Sequence, residues 1–358
     1  METFNDIFMD CTSLGTKIPK EEYLVNGKHI VVDQGQNTIA GYTDLDDGLF
    51  EDVPAIIFGD HTRVIKYVDE PFFLGADGVK LLKSKKQDAN YKYLYYALKN
   101  ARIPDTGYNR HFKWLKEVSI EYPNLNRQQE IVEVLDKITR IIEERKLELL
   151  QLDGLIKARF VEMFGGMKPN TTLARYIEEL RGGKSLAGTE ECQNKVLKTG
   201  AATFGWFDPD QYKYLPIDYE PLPEHKVETG DVIISRMNTP ELVGACSYVF
   251  KAPDNMYYPD RLWKVITKDR TNSIFLWQLL WDKEIRRQIK EKSGGTSGTM
   301  HNISKPKLLE IKCIDAPYEL QKQYADFVKQ VDKSKVAVQK ALDEAQLLFD
   351  SLMQEYFG

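Results

Sequence analysis

The sequence predicts an α+β protein in which two globular domains are separated by two long antiparallel helices that form a coiled coil, with a pseudo-twofold internal repeat. Three observations predict this fold. The length of 358 residues suggests two or three domains. Residues 127–165 align without a gap with residues 320–358, and both stretches end in Phe-Gly. Each stretch follows a region that has β-branched runs first and a helical run late.

The repeat continues upstream of the helices and sets the predicted domain boundaries. Residues 107–120 resemble residues 298–311, and residues 4–18 resemble residues 176–188. A period near 190 residues is too long for a solenoid and indicates a duplicated domain. We therefore predict a first domain at 1–125, a first long helix at 126–165, a second domain at 166–319 and a second long helix at 320–358.

Each globular domain shows three strand-like runs and one helical run. β-Branched runs bounded by Gly, Asp or Pro predict strands at residues 29–33, 55–60 and 63–68, and again at residues 231–237, 246–250 and 262–267. The helical runs are residues 91–101 in the first domain and residues 275–291 in the second. Both domains are therefore predicted to be α+β.

The long helices carry apolar residues in a heptad pattern, which is typical of a coiled coil. The apolar positions that we expect to form the contact are Leu135, Ile142, Leu149 and Ile156 in the first helix and Val331, Leu342 and Phe349 in the second. Arg145 and Arg159 interrupt the pattern. An alternative is that each helix packs only against its own domain. We favour an antiparallel pair of helices 127–163 and 320–356, because the stripe persists for about five heptads.

Composition excludes several classes of protein. With 49 basic and 54 acidic residues the net charge is −5, so a DNA-binding surface would have to be built locally. The four cysteines are scattered without metal-ligand spacing, which argues against zinc and disulfides and fits a reducing cytoplasm. No apolar run is long enough to cross a bilayer, and the acidic start is unlike a signal peptide.

Motifs for catalysis are missing from the sequence. There is no GxxxxGK[ST] loop for ATP, no GxGxxG after a predicted strand, no GxSxG elbow and no HExxH. An Asn/Asp-Pro-Pro-aromatic run, which would suit an amino-methylating enzyme, is also missing. We therefore predict a chain without catalysis and without a cofactor or metal of its own.

Polar loops at matching places in the two copies are the candidate binding elements. Lys17 and Lys184 lie among small residues in loops 13–23 and 180–190, where an ammonium group could approach a phosphate; an ordinary connecting loop is equally consistent. Loops 59–67 and 234–244 contain side chains of the types that contact base edges: His61, Thr62, Arg63, Arg236 and Asn238. The alternative there is a polar loop with one or two ion pairs.

Two further loops complete the candidate set. Residues 257–264 interleave aromatic and basic side chains and contribute Tyr258 and Arg261, although such a run is also common in a core. Residues 106–113 and 292–302 are the last matching loops and contribute Asn109, Arg110, Thr296 and Ser297. The second of these is glycine-rich, so it exposes N–H and hydroxyl groups that suit phosphate, and a flexible linker is the alternative.

The arrangement of two variable domains and two repeated helices resembles the specificity (S) subunit of type I restriction–modification systems. The resemblance rests on the helix starts RQQEIVEVLDKI and LQKQYADFVKQV and the helix ends ARFVEMFGG and DSLMQEYFG. It also rests on IPKEEYLVNGKHI and FGDHTRVIKY in the first domain. It spans essentially the whole chain, and the first domain is expected to begin almost at Met1.

The resemblance implies a non-catalytic DNA-recognition protein of the prokaryotic cytoplasm, without a membrane association. Each target-recognition domain would read one half of a bipartite double-stranded DNA sequence. The helix pair would set the spacing and dock two methyltransferase subunits, joined by restriction/translocase subunits. S-adenosylmethionine, ATP and Mg²⁺ would belong to those partners. Two alternatives remain open: a coiled-coil scaffold with two protein-binding domains that does not bind DNA, and a similar recognition module that serves a different enzyme.

Overall fold

The computed structural model describes residues 1–75, 77–295 and 299–358. The chain forms two compact units. The first unit comprises Met1–Leu147 and Gln339–Gly358, and the second comprises Glu148–Val338. Each long helix therefore contributes residues to both units. The candidate residues Thr296 and Ser297 lie outside the described residues.

The first unit contains two main sheets. A four-stranded antiparallel sheet has the order Phe8–Asp10, Val79–Ser84, Ala55–Gly59, Ile65–Val68. A three-stranded sheet has the order Gly41–Thr43, His29–Val32, Phe72–Leu74, with its last pair parallel. Glu2–Thr3 pairs with Ser119–Ile120. The strand Ala55–Gly59 is buried at every position, which explains its unbroken apolar sequence.

The second unit repeats this topology. Its four-stranded sheet has the order Ile177–Gly182, Leu262–Thr267, Val232–Ser235, Cys246–Tyr248. Its three-stranded sheet has the order Tyr212–Tyr214, Lys195–Leu197, Met256–Tyr257, again with the last pair parallel. Thr171–Thr172 pairs with Lys312–Cys313, and Met237–Asn238 pairs with His301–Asn302. The duplication predicted from the helices thus extends to the order of the strands, and every predicted strand run contains a strand.

Short helices complete each unit. They are Phe4–Ile7, Tyr91–Lys99 and Phe112–Leu115 in the first unit, and Ser273–Leu280, Lys283–Lys292 and Lys305–Leu309 in the second. Single 3₁₀ turns lie at Thr12–Leu14, Lys20–Glu22, Leu173–Arg175, Thr199–Ala202 and Pro223–His225. The prediction of one helix at 275–291 is wrong, because the Asp282 carboxylate accepts hydrogen bonds from the N–H groups of Glu284 (2.9 Å) and Ile285 (3.2 Å) and starts a second helix.

The two long helices are Leu125–Phe164 and Tyr318–Phe357. In the second unit the Tyr324 hydroxyl donates to the Ile156 carbonyl (3.3 Å), and Lys335 pairs with Asp153 (2.5 Å). Along the second helix from Tyr324 to Lys335, the contacted residue of the first helix moves back from Ile156 to Asp153. The two segments therefore run antiparallel. In the first unit Arg127 lies over the Tyr356 ring, 5.6 Å from its centroid.

The predicted heptad positions lie in these contacts. Leu135, Ile142 and Phe349 belong to one core cluster of the first unit, and Leu342 packs against it. Ile156 and Val331 belong to the main core of the second unit, and Leu149 is half-buried. The same clusters contain domain residues, such as Phe4 and Phe275. The helices therefore pack against each other as well as against the domains, which confirms the antiparallel pair and contradicts the alternative in which each helix packs only against its own domain.

A buried glutamine joins each long helix to its domain. The Gln128 Oε1 accepts from the Asn90 N–H (2.9 Å), and its Nε2 donates to the Pro123 carbonyl (2.8 Å). In the second unit the Gln321 Oε1 accepts from the Asn272 N–H (3.0 Å), and its Nε2 donates to the Ala316 carbonyl (2.8 Å). Both glutamines are fully buried, and both asparagines cap a domain helix. The repeated Gln of the sequence is thus a repeated structural contact.

In the described part of the chain, no helix is long and apolar enough to cross a membrane. Within the same residues no cluster of His, Cys, Asp and Glu is arranged to hold a metal ion. The cysteines Cys11, Cys192, Cys246 and Cys313 are free thiols.

Candidate nucleic-acid interface

In the first unit the loop after strand Ala55–Gly59 lies against the loop before Phe112. The N–H of His111 donates to the Asp60 carbonyl (2.8 Å), and the N–H of Phe112 donates to the Asp60 carboxylate (2.7 Å). Next to these bonds, the His61 ring stacks on the Tyr108 ring with centroids 4.8 Å apart. The candidates Thr62, Asn109 and Arg110 lie exposed on these two loops. The structure therefore brings two of the predicted loops together.

Arg63 is held by its backbone conformation and by an ion pair. Its backbone has a φ of +61°, and its Nη2 lies 2.7 Å from Asp105 Oδ2. A hydrogen bond from the Gly107 N–H and the Arg63 guanidinium both lower the pKa of Asp105. The pair keeps the guanidinium beside the His61 loop while leaving about a third of the Arg63 side chain exposed. This geometry presents a preordered guanidinium group to a ligand.

Gln34 connects the Lys17 loop to the same surface. Its Oε1 accepts from the His61 N–H (3.2 Å), its Nε2 donates to the Asp77 carbonyl (3.1 Å), and its own carbonyl accepts from the Thr62 hydroxyl (2.6 Å). Lys17 pairs with the exposed Asp77 carboxylate at 3.0 Å, a contact that lowers the pKa of Asp77. A phosphate at Lys17 would therefore compete with Asp77.

In the second unit the candidates Arg236, Asn238 and Arg261 lie near one another. The Arg236 N–H donates to the Arg261 carbonyl (3.0 Å), and the Arg236 carbonyl accepts from the Ile303 N–H (3.0 Å). Asn238 lies on the short strand that pairs with His301–Asn302, so loops 234–244 and 292–302 adjoin here as their counterparts do in the first unit. The Arg236 guanidinium lies over the Trp263 ring at 5.6 Å.

The structure corrects the prediction made for Tyr258. Its side chain is 2% exposed, and its hydroxyl donates to Asp231 Oδ2 (3.0 Å). Lys264 pairs with the same carboxylate at 3.1 Å, and burial raises the pKa of Asp231. The prediction that Tyr258 contacts DNA is wrong, because the ring belongs to the core and its one polar atom is already bonded. Lys184 is exposed, with its ammonium 6.0 Å from the centroid of the Tyr219 ring.

Sequence reasoning missed a basic cleft in the first unit. The cleft has a volume of about 880 Å³. Its basic lining residues are Arg63, Lys66, Lys92, Lys99 and Arg140, and its acidic ones are Asp136 and Glu143. Lys66 is buried, and Lys92 pairs with Asp136 at 2.5 Å. Lys92 and Lys99 lie seven residues apart on one helix, so they project from the same side, and this spacing was the available signal. The cleft continues the surface that carries Arg63.

A comparison with known families decides the relationship. The type I restriction modification DNA specificity domain matches residues 5–152 and 199–345. The chain belongs to this family. The two matched segments coincide in large part with the two copies of the repeat. The specificity family thus accounts for the duplicated strand order and for the long helix in each copy.

Individual relatives agree with this assignment. The chain is 25% identical over 174 residues to the type I restriction enzyme EcoKI specificity subunit of Escherichia coli K12, and 30% identical over 148 residues to the EcoR124I/EcoR124II specificity subunit of E. coli. These alignments cover 42% and 36% of this chain, and 38% and 37% of the relatives' own lengths.

A solved structure shows the same fold. The S subunit of a type I restriction–modification system from M. genitalium matches with a TM-score of 0.62 and 18% identity. The match covers all of this chain and 95% of that one. The duplicated α+β architecture with its long helices is therefore an architecture of the family.

Proposed function

We propose that this chain is the DNA specificity subunit of a type I restriction–modification enzyme and that each of its two domains reads one half of a bipartite double-stranded DNA target. The observation that carries the proposal is the repeated placement of the recognition loops. In each unit the loop after the central strand adjoins the loop that precedes the last short helix of the domain. Exposed or half-exposed basic and amide side chains lie there in both units.

The two sets of side chains differ, which favours an asymmetric target. The first unit offers His61, Thr62 and Arg63, whereas the second offers Arg236, Asn238 and Arg261. Arginine suits guanine and asparagine suits adenine in the major groove, so unlike sets should select unlike half-sites. Lys17, Asn109, Arg110 and Lys184 are proposed to contact the backbone or flanking bases.

We propose that the chain has no catalysis of its own and works in a complex. Its partners would be two methyltransferase subunits, which hold S-adenosylmethionine, and restriction/translocase subunits, which use ATP and Mg²⁺. Both long helices expose apolar side chains that would suit docking: Leu147, Leu150, Val161, Val336 and Leu347. The division into domains at 1–125 and 166–319, with long helices at 126–165 and 320–358, is part of this proposal.

The decisive test is selection of bound sequences from a randomised DNA pool by the chain together with its methyltransferase partner. We expect a target with two short specified parts and an unspecified gap of fixed length. Binding without sequence preference in the presence of the methyltransferase would contradict DNA recognition and favour a protein-binding scaffold. A single continuous specified sequence would contradict the assignment of one half-site to each domain.

A further inference from the structure

Two aromatic side chains of the second unit lie side by side in solvent. Phe204 is 63% exposed and Trp206 is 59% exposed. Their ring centroids are 5.7 Å apart, and the ring planes differ by 28°. Single exposed apolar residues are common, but a stacked pair with this much exposed apolar area is typical of an interaction site. We refer to residues 198–211, which carry the pair, as the aromatic loop.

The aromatic loop holds the two rings outward. Gly205 has a φ of +89°, and a Cβ at this position would lie 3.4 Å from the Trp281 ring. Next to the turn, the Thr203 hydroxyl donates to the Thr199 carbonyl (3.0 Å), and the Asp208 N–H donates to the Ala201 carbonyl (3.0 Å). These bonds and the glycine order the turn before any ligand binds, which lowers the entropy lost on binding.

The equivalent connection of the first unit carries no such pair. The corresponding connection in the first unit, residues 33–40, joins the equivalent strands His29–Val32 and Gly41–Thr43. It is shorter and contains no aromatic residue. Its Gln36 and Thr38 instead line the basic cleft. The duplicated domains thus place different chemistry on equivalent connections.

Cationic side chains lie close to the aromatic loop. Trp281, which adjoins Gly205, lies under the partly buried Arg286 guanidinium (5.3 Å), which donates from Nη2 to the Glu241 carbonyl (2.9 Å) in loop 234–244. The first residues of the loop, Lys198 and Thr199, line a cleft of about 300 Å³. Its charged lining residues are Lys198, Lys213 and Arg261, which are basic, and Asp260, whose carboxylate accepts from the Ser185 hydroxyl. Among the described residues, none of the three basic side chains forms an ion pair with a carboxylate. They are available for phosphate groups.

We propose that Phe204 and Trp206 stack on DNA bases at one step beside the half-site that the second domain contacts; this rests on the function proposed above. An aromatic face stacks on any base, and apolar wedges can open a base step from the minor groove. Lys198, Lys213 and Arg261 would hold the DNA backbone beside that step. A protein partner is less well matched, because lysines such as Lys198 and Lys213 are depleted at the centres of protein interfaces.

The experiment uses the full chain with its methyltransferase and the duplex found by selection, with 2-aminopurine placed at one position at a time. We expect increased fluorescence at one step on the side of the second half-site, because unstacking relieves quenching. Phe204→Ala with Trp206→Ala should abolish this increase and weaken binding by roughly 5- to 150-fold for each base that no longer stacks on a ring. Trp206→Phe should keep the signal, and Ile217→Ala, an exposed apolar control in the same unit, should change nothing.

Two results would overturn the inference. One is a double variant that binds within twofold of the wild type with the same 2-aminopurine profile. The other is a double variant that keeps that profile but no longer co-elutes with the methyltransferase, which would assign the pair to a protein contact. Ring-dependent fluorescence on every duplex, without sequence preference, would support base stacking and contradict the proposed specificity function.

Discussion

Arg63 combines a left-handed backbone with a side chain fixed by Asp105. Since glycine adopts this backbone readily, Arg63→Gly removes the guanidinium without adding strain. We expect it to weaken binding to the half-site that the first domain contacts by ~1–3 kcal/mol. The sequence preference at the other half-site should be unchanged. Competition binding with duplexes altered in one half-site at a time measures this. Equal loss on all sequences would make Arg63 a phosphate contact, and no loss would make the loop structural.

Lys66 gives a prediction about pH. Its side chain is 4% exposed and donates to the carbonyls of Asp33 (2.7 Å) and Asn37 (2.5 Å). Burial lowers the pKa of Lys66 below its ordinary 10.5, and the Asp33 carboxylate opposes this shift. Between the folded and unfolded pKa values the unfolded chain binds more protons, so the Lys66 contribution to stability increases as pH rises.

The matching experiment compares the wild type with Lys66→Met by urea unfolding from about pH 7 to about pH 10, where the lysine begins to titrate. The free energy of unfolding of the wild type minus that of the variant should increase with pH across this range. The variant's own dependence on pH serves as the control for all other groups. A constant difference would show that Lys66 keeps its ordinary pKa in the folded protein.

Whether a single side chain is buried or exposed is the feature that the sequence predicts least well. In the sequence Tyr258 and Arg261 look alike as members of an aromatic and basic run, yet Tyr258 is buried and Arg261 is exposed. The difference arises because Asp231, distant in sequence, accepts the Tyr258 hydroxyl bond inside the core. The exposure of Phe204 and Trp206 could not be predicted from the sequence either, because aromatic residues are usually buried in a protein core.

At the scale of elements, the buried glutamines should couple each long helix to its domain. Gln128→Leu removes the acceptor for the Asn90 N–H and the donor to the Pro123 carbonyl, leaving buried polar groups unpaired. We expect a loss of ~1–3 kcal/mol in the free energy of unfolding. Gln321→Leu should behave alike, because its bonds are equivalent. Urea unfolding measures both, with Gln151→Leu, an exposed glutamine of the first long helix, as the matched control; equal stability of all three would contradict the coupling.

The sequence predicts a secondary-structure element best where its periodic apolar pattern is long. The heptad stripe predicted both long helices to within a few residues of Leu125–Phe164 and Tyr318–Phe357. The run 275–291 contains no glycine or proline, and the prediction of a single helix over it is wrong. Asp282 within this run was the signal for a break, since a side chain that caps the second helix favours its separate start.

At the scale of the whole molecule, the proposal that the helices set the half-site spacing makes a geometric prediction. Seven residues inserted in each long helix, after Leu147 and after Val338, keep the heptad register, so the pair can still form. One heptad lengthens each helix by about 10 Å, or roughly three base pairs at ~3.4 Å each. The specified parts of the target should stay the same while the gap between them grows.

Binding by this variant should also be weaker, and the reason is geometric. Moving the second half-site along B-DNA rotates it around the duplex axis, so the correct spacing brings an incorrect orientation. Loops 59–67 and 234–244 are untouched, so identity of the half-sites should survive. Selection from a randomised pool with the methyltransferase present separates the two effects. Altered half-sites with an unchanged gap would contradict a spacing role for the helices. The added helix length would then have changed base recognition and not the distance between the half-sites.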